Sequence, residues 1–145
     1  MLRLDMLRKT LDTEMLSAVG EAFLEQHMDW QWRGINTPLV MDKSKVLVIS
    51  GFLPNKAESQ ELGGPGALSI RHGVYVVTFS IPEKTSVDNI WLAAARLEGW
   101  FRRRRLDTEA GAFWCDEPYT ENNGTEPSEG RFLISTTIPW TAVSC

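Results

Sequence analysis

Apolar residues recur at intervals of three and four along the first part of the chain. The repeating positions are Leu4, Leu7, Leu11, Met15, Ala18, Ala22 and Phe23. Charged side chains such as Arg8 and Asp12 fall between them, and this spacing is typical of a helix with one apolar face. Thr10, Asp12 and Thr13 are residue types that cap helices, so the pattern allows one long helix or two shorter ones.

A second helix is predicted over residues 86–105, where the apolar stripe is Val87, Ile90, Trp91, Ala94, Leu97 and Phe101. Ser86 is a residue type that favours the N-cap, and Asp88 places negative charge in the first turn. The segment ends in four consecutive arginines, Arg102 to Arg105. Positive charge is favourable at the carbonyl end of a helix, so the pattern predicts that the helix includes them.

The remaining segments alternate apolar and polar residues, or are rich in β-branched residues, as strands are. Strands are predicted at 30–33, 45–54, 68–81, 112–116 and 131–140. The resulting order, α-β-β-β-α-β-β, predicts an α+β fold in which a mostly antiparallel sheet is flanked by two helices. No linker or internal repeat divides the sequence, so residues 1–145 are predicted to form a single domain.

The alternation changes phase in the third of these strands. Ile70 is apolar at an even position, whereas Tyr75 and Val77 are apolar at odd positions, and Arg71-His72-Gly73 lies between them. A strand moves its apolar side chains to the other face only through a bulge, a kink or a change of partner. We therefore expect this strand to begin outside the main sheet or to bend as it enters it.

The segment before that strand, residues 55–66, is polar and rich in glycine. Its length is at the upper end for a connection within a compact domain, and long connections often contact partners. The Gly-Gly-Pro-Gly run lacks the lysine and hydroxyl residue of a phosphate-binding loop, so nucleotide binding is not predicted. The candidate contact residues here are Gly63, Gly64, Gly66, Arg71, His72 and Gly73.

The composition narrows the class of protein. The chain has 145 residues, of which 43% are hydrophobic, and a net charge of −4. These values suit a globular domain with its own core and disfavour broad binding to nucleic acid or anionic membranes. Cys115 and Cys145 lack metal-ligand spacing, no apolar run reaches the length of a membrane span, and the charged N-terminus lacks the core of a signal peptide. We expect a soluble protein of a reducing cytoplasm.

Residues suited to catalysis are few. The histidines are His27, at the end of the first predicted helix, and His72, and neither accompanies a nucleophile motif. Asp116, Glu117 and Glu121 lack the ordered spacing of a calcium loop. No cofactor and no metal is therefore predicted.

The arginine run is the strongest charge feature of the chain. Four consecutive helical residues sweep roughly 300° around the axis, so they cannot all contact one DNA backbone from a single face. The favoured interpretation is a solvated helix end. Salt bridges between subunits come second, and contact with DNA comes third. Arg102, Arg103, Arg104 and Arg105 therefore join the candidate contact residues.

Five motifs follow one another along the chain: Phe52-Leu53-Pro54, the loop closing on Gly63-Gly64-Pro65-Gly66, the run Ile70-Arg71-His72-Gly73-Val74-Tyr75-Val76-Val77, Pro82, and the helical Leu97-Glu98-Gly99-Trp100-Phe101. Together they resemble the tail terminator proteins of long-tailed bacteriophages. The most specific piece is Arg-x-Gly-x-Tyr at the start of a strand that ends in proline and precedes an amphipathic helix. The resemblance spans most of the chain from Phe52 onward. The four arginines and the acidic 117–129 segment depart from the pattern and take no role from it.

The resemblance implies a small α+β subunit that closes into a six-membered ring, caps the tail tube at its proper length and joins it to the head or neck. The implied partners are further copies of the chain in a homo-hexamer, the tail tube protein and a head-completion or neck protein. Genome DNA would pass through the ring without sequence-specific contact, and no membrane partner is implied. The resemblance implies assembly in the host cytoplasm and a place in the virion at the head-proximal end of the tail. It does not imply an enzymatic activity.

Two other interpretations stay open. Another head-tail connector or a tail-tube-like subunit would share the ring and differ in its docking partner. A small hydrolase, from a different class of protein, would use Asp116, Glu117 or His72.

Overall fold

Two helices and eight strands make up the regular structure in the described residues of the computed structural model, namely 3–34, 44–55, 58–59, 69–82, 87–108, 111–125 and 130–144. In chain order they are α1 (Leu4–Glu25), β1 (Trp30–Arg33), β2 (Val46–Pro54), β3 (Glu58–Ser59), β4 (Ser69–Ile81), α2 (Asp88–Phe101), β5 (Arg105–Thr108), β6 (Gly111–Cys115), β7 (Tyr119–Thr125) and β8 (Phe132–Ser144). The predicted α+β class with two helices is confirmed. The predicted order is incomplete, because β3, β5 and β7 were not predicted.

All eight strands belong to one sheet, whose main order is β1-β2-β4-β8-β6-β5. The short β3 pairs with β4 beside β2, and β7 pairs with β8 beside β6. Strands β1 and β2 are parallel, and every other described pair is antiparallel. The sheet is therefore mixed but largely antiparallel, with β4 and β8 at its centre.

The expected bulge or bend in β4 is absent. Its register with β8 runs without a shift from the Ser69–Ser144 pair to the Ile81–Phe132 pair. The partner on its other edge does change, because β3 pairs with Ser69 and Ile70 whereas β2 begins to pair at Gly73. The phase change in the sequence thus marks a change of partner at one edge, and Ile70 simply lies half-buried on the opposite face from Tyr75.

Both helices cover the same face of the sheet, which we call the helix face. The rings of Phe23 in α1 and Phe79 in β4 lie 5.9 Å apart, and those of Tyr75 in β4 and Phe101 in α2 lie 6.5 Å apart. Phe79 and Leu97 are completely buried, as predicted from the two apolar stripes. The other face, which we call the open face, carries no described helix.

Helix α1 is a single helix that ends in a left-handed turn. Thr10 and Thr13 donate to the carbonyl groups four residues earlier instead of capping a restart. At the end, Met28 N donates to Phe23 O at 2.9 Å and His27 N donates to Leu24 O at 3.2 Å. His27 has a φ of 51°. This bonding satisfies the last carbonyl groups of the helix, so His27 is the helix-end residue that its position predicted.

Helix α2 is shorter than predicted. It ends at Phe101, Arg102 has extended backbone angles, Arg103 has a φ of 51°, and Arg105 already belongs to β5. The arginines therefore form a tight connection to the next strand, and the helical arrangement assumed for them is wrong. Ser86 lies outside the described residues. No helix in the described part of the chain is long and apolar enough to cross a membrane.

Candidate functional site

Gly73 lies beneath the aromatic ring of Trp140. A Cβ atom added at Gly73 would be 2.3 Å from a ring carbon of Trp140 and 2.9 Å from the carbonyl oxygen of Leu53. The space left by the missing side chain lets Trp140 stack on Phe52 from the other side of β4, with ring centroids 5.4 Å apart and planes 4° from parallel. Gly73 is thus required for close packing in the core.

The side chain of His72 belongs to a hydrogen-bonded chain on the open face. His72 Nδ1 lies 3.0 Å from Thr141 Oγ1, and Thr141 Oγ1 donates to Asp116 Oδ2 at 3.3 Å. A threonine hydroxyl has a single proton, so with that proton directed to Asp116 the His72 Nδ1–H donates to Thr141. This chain holds the imidazole in one orientation and directs the threonine proton away from it, which is not the arrangement that activates a nucleophile.

Arg71 joins the start of β4 to the end of β2. Its Nε donates to Asn55 O at 2.8 Å, while Asn55 N donates to His72 O at 2.8 Å. These bonds fix the backbone on either side of the point where the edge partner of β4 changes. Of the predicted contact residues, Gly63, Gly64 and Gly66 lie outside the described residues.

The four arginines each lie beside a carboxylate of the same chain. Arg102 and Arg103 share Glu117, at 3.0 and 3.1 Å, and Arg105 lies 3.4 Å from Asp107. The side chain of Arg103 is 81% exposed. Exposed pairs of this kind contribute little to stability, but two guanidinium groups on one carboxylate leave a positive surplus at this corner.

Arg104 and Trp100 connect α2 to α1. Arg104 lies 3.3 Å from the Glu14 carboxylate, which also accepts a 2.8 Å hydrogen bond from Trp100 Nε1. The guanidinium groups of Arg96 and Arg104 lie 5.8 and 5.3 Å from the centre of the Trp100 ring. Arg96 also pairs with Glu21 of α1. Arg104 therefore has a role within the subunit, unlike its more exposed neighbours.

The strand register brings two of the predicted contact residues, His72 and Arg105, onto one line across the open face. Arg105 is paired with Trp114, Trp114 with Thr141, and Thr141 with His72. We call these four residues the cross-sheet row. Three strand spacings of about 4.8 Å put its ends roughly 14 Å apart. Neither the row nor its central Trp114 was foreseen, because β5 was not predicted and its register with β6 could not be read.

The rest of the open face is half-covered and partly apolar. Leu53 and Tyr119 are 57% and 47% exposed. Next to Tyr119 along the sheet lies a group of polar side chains, in which Ser135 Oγ meets Thr78 Oγ1 at 3.0 Å and accepts from Asn123 Nδ2 at 2.6 Å. This face therefore combines exposed apolar side chains with hydrogen-bonded polar ones, as protein contact surfaces do.

A buried polar network crosses the core and was missed by the sequence analysis. Trp32 Nε1 donates to Ser50 Oγ at 3.1 Å, Ser50 bonds the Tyr75 hydroxyl, and that hydroxyl donates to Asp12 Oδ1. Burial, followed by the charge of Asp12, raises the pKa of Tyr75 well above its usual value. Asp12 lies three residues before Met15, within the buried stripe of α1, and that position was the available signal.

Cys115 is a buried side chain of the helix face. Burial is the main cause that raises the pKa of its thiol to about 12, so it stays protonated at neutral pH and is a poor nucleophile. Within the described ranges, His, Cys, Asp and Glu side chains do not gather into a group that would hold a metal ion. Asp116 and Glu117 also separate, since Glu117 turns to the arginines.

Neither a family model nor a curated protein matches this chain. The fold is similar to that of solved structures, 18 chains in all. One of them, a protein without a functional name, has a TM-score of 0.68 and 14% sequence identity, and the match covers 97% of this chain and 95% of that chain. At this level of identity the likeness establishes the fold along nearly the whole length.

Proposed function

We propose that this protein is a structural ring subunit of the tail-terminator type, which caps a phage tail tube, ends its elongation and presents a surface for joining to the head or neck. The proposal starts from the motif resemblance. The observation that carries it is the cross-sheet row, which places His72 of the motif run and Arg105 of the arginine run on the open face.

Two of the motif pieces are neighbours in the fold. Phe52, Leu53 and Pro54 of β2 pair with Tyr75, Val74 and Gly73 of β4. Segments roughly twenty residues apart in sequence thus meet where β2 ends beside β4, with Leu53 and His72 both exposed. The buried members, Gly73 and Tyr75, support the fold, and the exposed members, Leu53 and His72, are the ones available for contact.

The cross-sheet row continues this surface to the arginine corner. His72 and Arg105 are exposed at its two ends, and Trp114 lies half-buried between them. Exposed aromatic and arginine side chains are enriched at protein interfaces. The row is therefore the candidate surface through which the subunit contacts a neighbouring subunit or the tube.

Deleting the gene from a phage that encodes the chain tests the proposal. We expect unjoined heads and tails of abnormal length in electron micrographs, restored by the wild-type gene. Normal tails joined to heads in the deletion would overturn it. A variant carrying His72→Ala, Trp114→Ala and Arg105→Ala should fold but fail to restore joining.

Lys9→Ala is the matched control, because Lys9 is an exposed cation of α1 away from the open face. It should restore joined, normal-length tails. The hydrolase alternative makes a different prediction for the same purified proteins. Turnover of an ester or phosphoester panel that is lost in His72→Ala and Asp116→Asn would favour that class, and its absence together with the tail phenotype would favour the ring.

A further inference from the structure

Between Asp88 and Arg102, the solvent-facing side of α2 carries no charged side chain. Asp88, Trp91, Leu92, Ala95 and Gly99 are all exposed, and Arg102 follows at the end of the helix. At 100° per residue these positions fall within an arc of about 100°. We call them the outer face of α2. Trp91 and Leu92 are 40% and 56% exposed, which makes this face an apolar surface of the helix layer.

The charged residues beside this face are engaged elsewhere. Arg96 pairs with Glu21 of α1 and lies over Trp100, and Glu98 accepts a hydrogen bond from Thr120 of β7 at 3.1 Å. They flank the outer face without covering it. The exposed side of a surface helix usually carries charged residues of both signs, so the lack of charge on this part of α2 requires a reason.

No packing contact in the described part of the subunit accounts for Gly99. A Cβ atom added there would meet nothing within 4 Å, and its φ is not in the left-handed region. Glycine destabilises the interior of a helix relative to alanine, so its presence without a packing reason suggests that something outside the subunit approaches closely.

The outer face is complementary to itself when two copies run antiparallel. Asp88 lies seven residues before Ala95 and Arg102 seven residues after it, and Trp91 and Gly99 lie four residues on either side. An antiparallel pair centred on Ala95 therefore places each Trp91 opposite Gly99 of the other copy. It also places each Asp88 beside the other Arg102.

The electrostatics favour the same arrangement. No described cation pairs with Asp88, whereas Arg102 shares its one carboxylate with Arg103. An antiparallel pair would supply a cation to each Asp88 and a second anion to each arginine corner. The two helix dipoles would also oppose each other favourably.

We infer that two copies of this chain associate through the outer faces of α2, related by a two-fold axis at Ala95. This contact is separate from the proposed ring, because a two-fold contact closes at two copies while a ring uses two different surfaces. A single helix pair buries less than the roughly 1,200 Å² of a stable interface, so the dissociation constant is expected on the order of 100 μM.

Sedimentation from about 10 μM to about 1 mM tests the pair, since that range brackets the expected constant. We expect a reversible monomer–dimer equilibrium. Asp88→Arg or Arg102→Asp alone should weaken it about tenfold through like charges, and the double exchange should restore it to within about threefold. Restoration is specific to this register, because no other antiparallel register faces these two residues.

Cysteine cross-linking in a Cys145→Ser background gives a second measurement. Ala95→Cys lies on the axis and should oxidise to a disulfide-linked dimer, whereas Leu24→Cys should not, although Leu24 is 71% exposed. A concentration-independent monomer, equal cross-linking of both variants, or a charge exchange that fails to restore association would each overturn the inference. A hexamer that forms without the Ala95 cross-link would support the ring and refute the pair.

Discussion

The two faces of the central sheet are built from similar side chains and differ in what covers them. Tyr75, Val77 and Phe79 of β4 are completely buried beneath α1 and α2. Val76 and Thr78, which alternate with them, are only half-buried on the open face. Alternate residues of one strand thus have different roles. Those buried under the helices stabilise the fold, and those partly exposed leave surface area for contact.

The largest expected effect contrasts truncations on the two faces. Phe79→Ala should lower the free energy of unfolding by about 3–5 kcal/mol and Leu97→Ala by about 2–5 kcal/mol, because both leave cavities in the core. Val76→Ala, on the open face, should cost less than about 1 kcal/mol. Urea unfolding measures all three. Losses below about 0.5 kcal/mol for both Phe79→Ala and Leu97→Ala would contradict the burial described here.

The helix face should also make the protein sensitive to alkaline pH. Tyr75 and Cys115 both have raised pKa values in the fold, so the unfolded chain releases their protons first. Stability should be unaffected by them below about pH 9 and fall as pH rises from there towards 12, by up to about 1.4 kcal/mol per pH unit for each group.

Urea unfolding at a series of pH values checks this. Cys115→Ala should flatten the decline that begins near pH 9.0, the ordinary thiol value, and should leave the later decline due to Tyr75. A stability that stays constant to pH 11 in the wild type would be inconsistent with burial of these two groups.

Alanine at two glycines sharpens the contrast. Gly73→Ala should destabilise by about 1–3 kcal/mol, because its Cβ would overlap the Trp140 ring on the helix face. Gly51→Ala is the control, since its Cβ would face the open side at 3.8 Å from Val76 O. We expect the control to change stability by less than about 1 kcal/mol. Thermal unfolding measures both variants. Equal losses of stability would show that the Trp140 ring moves aside without a large energetic penalty.

The smallest effect is expected in α2. Gly99→Ala should raise the free energy of unfolding by about 0.5–1 kcal/mol, because the helix gains propensity and the new methyl group contacts nothing. Dilute protein should be used, so that self-association does not contribute. A loss of stability at low concentration would reveal an internal role for Gly99.

The sequence predicted those elements whose apolar period is strong, and missed those defined by pairing. The stripes of α1 and α2 and the alternation in β4 follow from burial of one side. Strand β7 reads Tyr-Thr-Glu-Asn-Asn-Gly-Thr and is mostly exposed, so only its hydrogen bonds to β8 make it a strand.

The candidate site was partly predictable for the same reason. Arg71, His72 and the arginines stood out as charges beside a change of pattern, but their alignment depends on the register of β5, β6 and β8. Asp12 was read as a polar-face residue because a carboxylate is rarely buried, and its partner Tyr75 is 63 residues away in sequence. Local periodicity in the sequence does not predict contacts between residues so far apart.

The central position of β8 has a consequence for synthesis on the ribosome. It follows β4, β6 and β7 in the chain, and it is the strand that joins β4 to the other two. Until residues 132–144 emerge, β1–β4 and β5–β6 form two separate groups, β7 lacks its described strand partner, and α2 lacks much of the surface it packs on. Such late, non-local closure slows folding and leaves the edge of β4 open to other chains in the meantime. A stalled nascent chain ending before Phe132 should therefore remain bound to chaperones, whereas one that exposes β8 should be released.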